Sequence, residues 1–351
     1  MNKNSSLIIF DVVQIEAWSH LHVVWSVSSS ALALYAIFLF IFYFPFLLSS
    51  FQQVNRLCIT PDKQYLAVAG NPHVRLYEIH TSNPHPLTSF DGHTSNVTAV
   101  GFQKDRKWMF TGSEDGSIKI WDIRAPGYQR DYQSKAPINT VALHPNQGEL
   151  IAGDEDGNIR VWDLAANTCS YELVPDGKTA IRSICVASDA SLVSAATNRG
   201  TVFLWRLGRG STSGGTNSVS NGTGVAGGNG TVGGAAGIGG SSLFEPLQKI
   251  EAHSNYCLTA LLSPDVKYLA TTSADKTVKI FNAENGFQLE KTLTGHSSWV
   301  YDASFSADSA YLVTASSDRT AKLWDLKSGE VILDYKGHHK AVTAVALNDS
   351  S

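Results

Sequence analysis

Residues 92–122 read GHTSNVTAVGFQKDRKWMFTGSEDGSIKIWD, and residues 295–325 read GHSSWVYDASFSADSAYLVTASSDRTAKLWD. Each stretch opens on Gly-His and closes on Trp-Asp, with 29 residues from the first Gly to the Trp in both. Between those marks, short alternating apolar runs are broken by turn residues, the pattern of half-buried antiparallel strands. In the first stretch and just beyond it, the alternation predicts strands over residues 97–102, 108–111, 117–121 and 128–132. Glu114-Asp115-Gly116 joins two of them, and Asp-Gly is a strong hairpin signal.

Aligning on the Trp position finds the other copies of the unit. Tyr77, Trp121, Trp162, Trp205, Phe281 and Trp324 occupy it, at spacings of 44, 41, 43, 76 and 43. The spacing of 76 is one period plus an insertion. A unit of this length, opened by Gly-His and closed by Trp-Asp, resembles the WD repeat, which builds one four-stranded blade of a β-propeller. The resemblance implies an all-β fold, a WD40 β-propeller of the seven-bladed family. Counting strands gives six full blades and an incomplete seventh that starts at Gly337-His338 with a strand over 342–347. The missing strands of that blade have to come from the N-terminus, where Leu7 to Phe10 is a candidate. Without them the ring is expected to be open, less stable and prone to edge pairing.

The chain has 351 residues, 43% of them hydrophobic, so one propeller over 53–350 can hold all of its core. A net charge of -4 argues against a nucleic-acid partner, which calls for a basic stripe. Cys58, Cys169, Cys185 and Cys257 show no metal-ligand spacing and are expected to be buried, reduced thiols in a cytoplasmic protein. No Gly-rich segment carries the Lys-Ser/Thr of a phosphate loop, so neither a metal nor a cofactor is expected.

His93, Ser113, Asp115 and Trp121 recur as His296, Ser316, Asp318 and Trp324. A Ser, His and Asp set suggests a hydrolase, but a nucleophilic site is a single exposed constellation with an oxyanion hole. A set repeated at fixed offsets is a structural device, and no enzyme is expected. The WD resemblance implies a buried network in which Trp donates to Ser, Ser contacts His, and His contacts Asp. The fifth unit keeps His253, Ser273 and Asp275 but has Phe281 for Trp.

Residues 208–243 form a Gly-rich insertion expected to be a disordered surface loop within the fourth blade. Residues 1–52 are atypical. No Asp, Glu, Lys or Arg lies between Ala17 and Asn55, and 18 apolar residues run from Ala31 to Leu48, just enough to span a bilayer. One reading is a transmembrane signal anchor that makes the protein membrane-associated. The other is the translated product of a retained intron, because Phe44 to Gln52 fits a pyrimidine-rich tract and repeat sequence starts at Gln53.

The resemblance is closer than the repeat alone. Val54-Asn55-Arg56-Leu57, Ile59-Thr60-Pro61-Asp62-Lys63, Ala136-Pro137-Ile138-Asn139, Leu143-His144-Pro145-Asn146-Gln147 and Gly337-His338-His339-Lys340-Ala341-Val342 resemble the small WD-repeat subunits of the target-of-rapamycin (TOR) kinase complexes, the Lst-type family. That resemblance implies a non-catalytic scaffold of TOR complexes 1 and 2. It would dock on the TOR kinase catalytic subunit, support its stability and activity, and serve nutrient and growth signalling with the other complex subunits. The alternative is another WD40 adaptor, a ubiquitin-ligase substrate receptor or a G-protein-β-like platform.

Residues entering the innermost strand of each blade ring one mouth of a propeller channel. Here they are Gln53/Asn55, Asn96/Thr98, Pro137/Asn139, Ala180/Arg182, Tyr256/Leu258, Trp299/Tyr301 and Ala341/Thr343. Trp and Tyr are enriched in interface hot spots, so Tyr256, Trp299 and Tyr301, with Gln53 and Asn55, are the candidate kinase-binding residues.

Overall fold

The computed structural model describes residues 6–11, 22–24, 54–79, 81, 85–208 and 243–348. Six four-stranded antiparallel sheets follow one another along the chain. Blade 1 spans residues 54–90, blade 2 97–133, blade 3 138–173, blade 4 181–251, blade 5 257–293 and blade 6 300–335. In each, the first strand in sequence is innermost and the fourth is the outer edge.

The seventh sheet has three described strands. Val342–Asn348 is innermost, Ser6–Asp11 pairs antiparallel with it, and His22–Val24 pairs with Ser6–Asp11. The register sets Leu7 opposite Leu347 and Ile9 opposite Val345. The N-terminal strand therefore lies where the propeller requires a partner for the last strand of the chain. The inner strand of this sheet packs between the inner strands of blades 6 and 1, which completes the ring.

Strand alternation gives every blade two apolar faces, and each face is buried against the next blade. Ala67, Val74, Phe90, Val97, Met109 and Trp121 fill the space between blades 1 and 2. Between blades 5 and 6 the same role falls to Ala270, Ile280, Leu293, Val300, Leu312 and Trp324. Each fully buried large side chain contributes roughly 1.5–3 kcal/mol. The second strands are buried almost throughout, whereas the outer strands are largely exposed.

Polar links cross the blade seams near the channel. Asn55 Nδ2 donates to Val97 O at 3.1 Å, Thr98 Oγ1 to Ile138 O at 2.6 Å, and Asn139 Nδ2 to Ile181 O at 3.0 Å. Ser194 Oγ donates to Ala260 O at 3.2 Å, Thr259 Oγ1 to Tyr301 O at 2.9 Å, and Thr343 Oγ1 to Val54 O at 3.0 Å. At the remaining seam Asp302 of blade 6 accepts from Val345 N of the seventh sheet at 3.2 Å. The same carboxylate takes Arg56 Nη1 of blade 1 at 2.9 Å. One buried side chain thus joins three consecutive blades where the two ends of the chain meet. Burial raises the Asp302 carboxyl above its usual range, opposed by Arg56 and by the Val345 N–H.

The turns between second and third strands lie tightly against the next blade. Gly200 has φ +79°, and a Cβ there would fall 2.2 Å from His253 O, so only glycine fits. The Gly-rich insertion falls between the paired strands Thr201–Leu207 and Phe244–Glu251 of blade 4. Residues 209–242 of it, like the apolar run from Ala31 to Leu48, lie outside the described residues. Among the described residues no helix is long and apolar enough to cross a membrane.

Candidate functional site

Two constellations stand out, one inside the blades and one on the channel rim. In blade 2, Trp121 Nε1 donates to Thr111 Oγ1 at 2.8 Å, and Thr111 Oγ1 lies 2.7 Å from His93 Nε2. His93 Nδ1 lies 2.9 Å from Asp115 Oδ2. The ionised Asp115 carboxylate can only accept, so the neutral imidazole carries its proton on Nδ1, and Nε2 accepts from Thr111 Oγ1, which in turn accepts from the indole. Asp115 also accepts from Ser117 Oγ at 2.6 Å and from Thr94 N at 3.0 Å.

Blade 6 repeats the arrangement. Trp324 Nε1 to Thr314 Oγ1 is 2.9 Å, Thr314 Oγ1 to His296 Nε2 2.7 Å, and His296 Nδ1 to Asp318 Oδ2 2.8 Å. In blade 5, Thr271, His253 and Asp275 keep the chain at 2.8 and 2.9 Å, and buried Phe281 replaces the indole without its N–H.

The hydroxyl in the network is therefore Thr111 or Thr314, which corrects the expectation for Ser113 and Ser316. The cause is reach along the strand. Trp121 pairs with Met109, so its indole meets the same-face residue two positions on, whereas Ser113 is four positions away. Ser113 Oγ instead donates to Asn96 O at 2.8 Å and accepts from Asp115 N at 3.1 Å, bracing the turn. Ser316 does the same with Ser298 O and Asp318 N.

Burial governs the charges. It pulls the His93, His253 and His296 imidazoles below their usual range, against the opposing attraction of Asp115, Asp275 and Asp318. Burial pushes the Asp115 carboxyl up, but bonds from Ser117 Oγ, Thr94 N and His93 outweigh it and bring the group down to about 2. Asp318 reaches about 2 in the same way, through Thr320, Ser297 N and His296.

Blade 3 uses other chemistry. Ala152 stands where Thr111 would be, and Trp162 Nε1 has no hydrogen-bond partner among the described residues. Arg160 runs the polar bridge instead, donating to Asp154 Oδ2 at 2.5 Å, Ser134 Oγ at 2.7 Å and Glu172 Oε1 at 2.7 Å. The signal was an Arg and an Asp six residues apart in a unit without the His, and it becomes legible only once the strand register is known.

The channel mouth holds a cavity of about 230 Å³. Asn55, Thr98, Asn139, Arg182, Leu258, Tyr301 and Thr343 all line it, so the seven inner strands converge as their spacing predicts. Tyr256 and Trp299 are 45% and 40% exposed, unusual values for residues of this size. Their rings meet edge to face at 6.1 Å, and Trp299 meets Tyr301 at 6.2 Å. The structure thus brings Tyr256, Trp299 and Tyr301 into one partly exposed aromatic cluster spanning blades 5 and 6. Asn55 is half-buried, with its amide committed to the seam with blade 2. Gln53 lies outside the described residues.

Other chemistry is sparse. Among the described residues no group of three or more His, Cys, Asp or Glu could hold a metal ion. All four cysteines are free. Burial pushes the Cys58 thiol up to about 11 and raises Cys257 and Cys185 as well. Cys169 departs from the expected burial, because it sits on an exposed outer strand of blade 3.

Repeated Gly-His and Trp-Asp units, each closing a four-stranded blade around one channel, define a WD-repeat β-propeller. Residues 84–122, 129–163, 244–282 and 287–325 match the WD domain, G-beta repeat family. The chain is 50% identical over 298 residues to the target of rapamycin complex subunit wat1 of Schizosaccharomyces pombe, covering 85% of this chain and 86% of that protein. It is 51% identical over 297 residues to the target of rapamycin complex subunit LST8 of Saccharomyces cerevisiae, covering 85% and 89%. Against the LST8 subunit of Mus musculus it is 40% identical over 308 residues, covering 85% and 86%. The chain belongs to the LST8 family of WD-repeat proteins.

Proposed function

We propose that this protein is a non-catalytic subunit of TOR complexes 1 and 2. It docks on the TOR kinase catalytic subunit and supports that subunit's stability and activity in nutrient and growth signalling. The observation that carries this reading is the extent of the likeness, which runs through most of the chain and of relatives named as TOR complex subunits. A non-catalytic role agrees with the burial of Thr111, His93, Thr314 and His296 in the Thr-His-Asp chains. A cytoplasmic location follows from the complex it joins.

The docking surface is the channel rim around Trp299, Tyr256 and Tyr301 and takes in Asn55; Gln53, two residues before Asn55 in the sequence, is a further candidate contact. Large aromatic side chains are the anchors most often found at interface hot spots, and two of these are about half exposed. Trp299→Ala is expected to weaken co-purification with the kinase by more than tenfold while leaving the thermal melt unchanged, about 2 kcal/mol being usual for a hot-spot anchor. A lower melting temperature with unaltered co-purification would assign Trp299 to rim packing.

A further inference from the structure

The polar side chains at the channel mouth direct donors into the blade seams. Asn139 Nδ2 donates to Ile181 O at 3.0 Å and to Glu155 Oε2 at 2.7 Å, and Asn55 Nδ2 to Val97 O at 3.1 Å. Thr98 and Thr343 turn their hydroxyl protons onto Ile138 O and Val54 O. What these groups present to a visitor is therefore mostly acceptor oxygen, as amide carbonyls and hydroxyl lone pairs. The charges point the same way. Arg56, Arg182 and Glu114 line the mouth cavity. Arg56 is held by Asp302 at 2.9 Å and Arg182 by Glu155 at 3.4 Å. Exposed Glu114 takes neutral donors instead, Asn96 Nδ2 at 2.9 Å and Ser95 Oγ at 3.4 Å, and no cation pairs with it among the described residues. The mouth thus holds one carboxylate that is positioned by hydrogen bonds and lacks a counter-charge.

We propose that the mouth receives a cationic side chain, a lysine or an arginine, from the kinase segment docked on the rim, and that Glu114 is its counter-charge. The inference rests on the docking reading and adds to it the chemistry of the docked residue. A cavity of about 230 Å³ is smaller than the roughly 300–1,000 Å³ of a small-molecule site and suits a single side chain. Tyr301 both lines this cavity and meets Trp299 at 6.2 Å, so the aromatic cluster and the cavity form one continuous surface. A segment anchored on Trp299 therefore has neighbouring residues over the mouth. The cation would find the Glu114 carboxylate, the acceptor oxygens of Asn55 and Asn139, and the Tyr301 ring, whose face attracts positive charge. The alternatives fit worse. An acidic side chain would face a like charge and acceptor oxygens, while both arginines already have carboxylates. An apolar one would cover Glu114 without supplying a partner, and a carboxylate removed from water unpaired is costly.

The test is co-purification of the kinase catalytic subunit with the tagged full chain at low and at high ionic strength, with the circular-dichroism melt as a check on folding. Glu114→Gln removes the charge and keeps an acceptor for Asn96 Nδ2. It should weaken co-purification about five- to tenfold at low salt, and the deficit should shrink at high salt, where the wild-type pair is screened. Glu114→Lys should weaken it further, because it sets a cation against the incoming one. Trp299→Ala, an apolar loss, should weaken it at both ionic strengths. Glu114 variants that bind as the wild type does, beside a Trp299→Ala that fails, would overturn this proposal and leave rim docking standing; a free cation in the cavity would give that result. Tighter binding by Glu114→Lys would also overturn it, by showing an acidic side chain at the mouth. Full co-purification by all three variants would remove the rim docking reading itself, and this proposal with it.

Discussion

Blades 2 and 3 are neighbours joined by the Thr98–Ile138 hydrogen bond, yet they hold their interiors together by different means. Blade 2 threads a neutral chain, Trp121–Thr111–His93–Asp115, with its one charge at the end near solvent. Blade 3 buries an ion pair, Asp154–Arg160, and leaves the Trp162 N–H without a partner. The blade 2 chain satisfies its polar atoms with one largely buried charge, the Asp115 carboxylate, instead of two. A buried pair is held by stronger individual interactions, but it carries a desolvation cost that only good geometry offsets. The comparison teaches that the repeat specifies a shape, four strands and an aromatic at one position, and tolerates more than one polar filling.

The largest expected effect tests the ion pair. Asp154 is 1% exposed, and it also accepts from Asn158 N at 2.8 Å. Asp154→Ala strands the Arg160 guanidinium, and breaking one side of a buried pair costs about 3–5 kcal/mol. Urea denaturation should show that loss. A change under about 1 kcal/mol would mean that Glu172 and Ser134 hold Arg160 by themselves, and blade 3 would then be no more ionic than blade 2.

The neutral chain should be weaker link by link. Asp115→Ala or Asp318→Ala leaves a buried imidazole N–H without its acceptor, a loss of about 1–3 kcal/mol each. The two lie in separate blades, so the double variant should lose the sum of the two. If both single variants melt with the wild type, the assigned chain contributes nothing to stability.

Acid should separate the two blades as well. Folding lowers the imidazoles of His93, His253 and His296, so below their ordinary value of 6.5 the unfolded chain binds protons that the folded chain refuses. Stability supplied by the neutral chains is therefore complete above pH 6.5 and declines as the pH falls below it. Asp115 and Asp318, held near 2 against an ordinary 3.8, add a second decline as the pH falls from about 4 towards 2. Asp302, raised by burial, tilts in the opposite sense. The free energy of unfolding should thus fall between pH 7.5 and 5, and replacing His93 by Gln should make that fall shallower. A flat profile over that range would refute the Nδ1–H assignment.

The periodic part of the sequence carried the architecture. Two Gly-His to Trp-Asp gaps of equal length, extended by aligning Tyr77, Trp162, Trp205 and Phe281 on the Trp position, placed the six four-stranded blades and the last inner strand. The weak point was identity within a face. Ser113 and Thr111 lie on the same side of one strand, both bear hydroxyls, and only the pairing of Trp121 with Met109 decides which the indole reaches. The blade 3 bridge was hidden for a related reason, since Asp154 and Arg160 become neighbours through a hairpin register that alternation does not encode. The rim was legible because seven equivalent positions point into one channel. Asn55 shows the limit of that reading, for the sequence gives no sign that its amide is used at a seam.

The smallest expected effect compares one substitution in both blades. Trp→Phe removes an indole N–H and some apolar surface at either position. In blade 2, Trp121→Phe also deprives Thr111 of a donor, in a site where Trp121 is fully buried. In blade 3, Trp162→Phe removes an N–H that has no partner among the described residues, so the relief of an unsatisfied donor offsets the lost packing. The packing terms are similar, because Trp162 is also buried and its ring meets Tyr132 at 5.3 Å much as Trp121 meets Phe90 at 5.7 Å. The difference between the two variants then isolates the hydrogen bond, and Trp121→Phe should be the more destabilising by about 1 kcal/mol. Blade 5 shows that the repeat accepts this state, since Phe281 sits buried beside an intact Thr271–His253–Asp275 chain. Equal losses in the two blades would mean that the indole N–H contributes nothing to blade 2, and that its neutral chain begins at Thr111 rather than at Trp121.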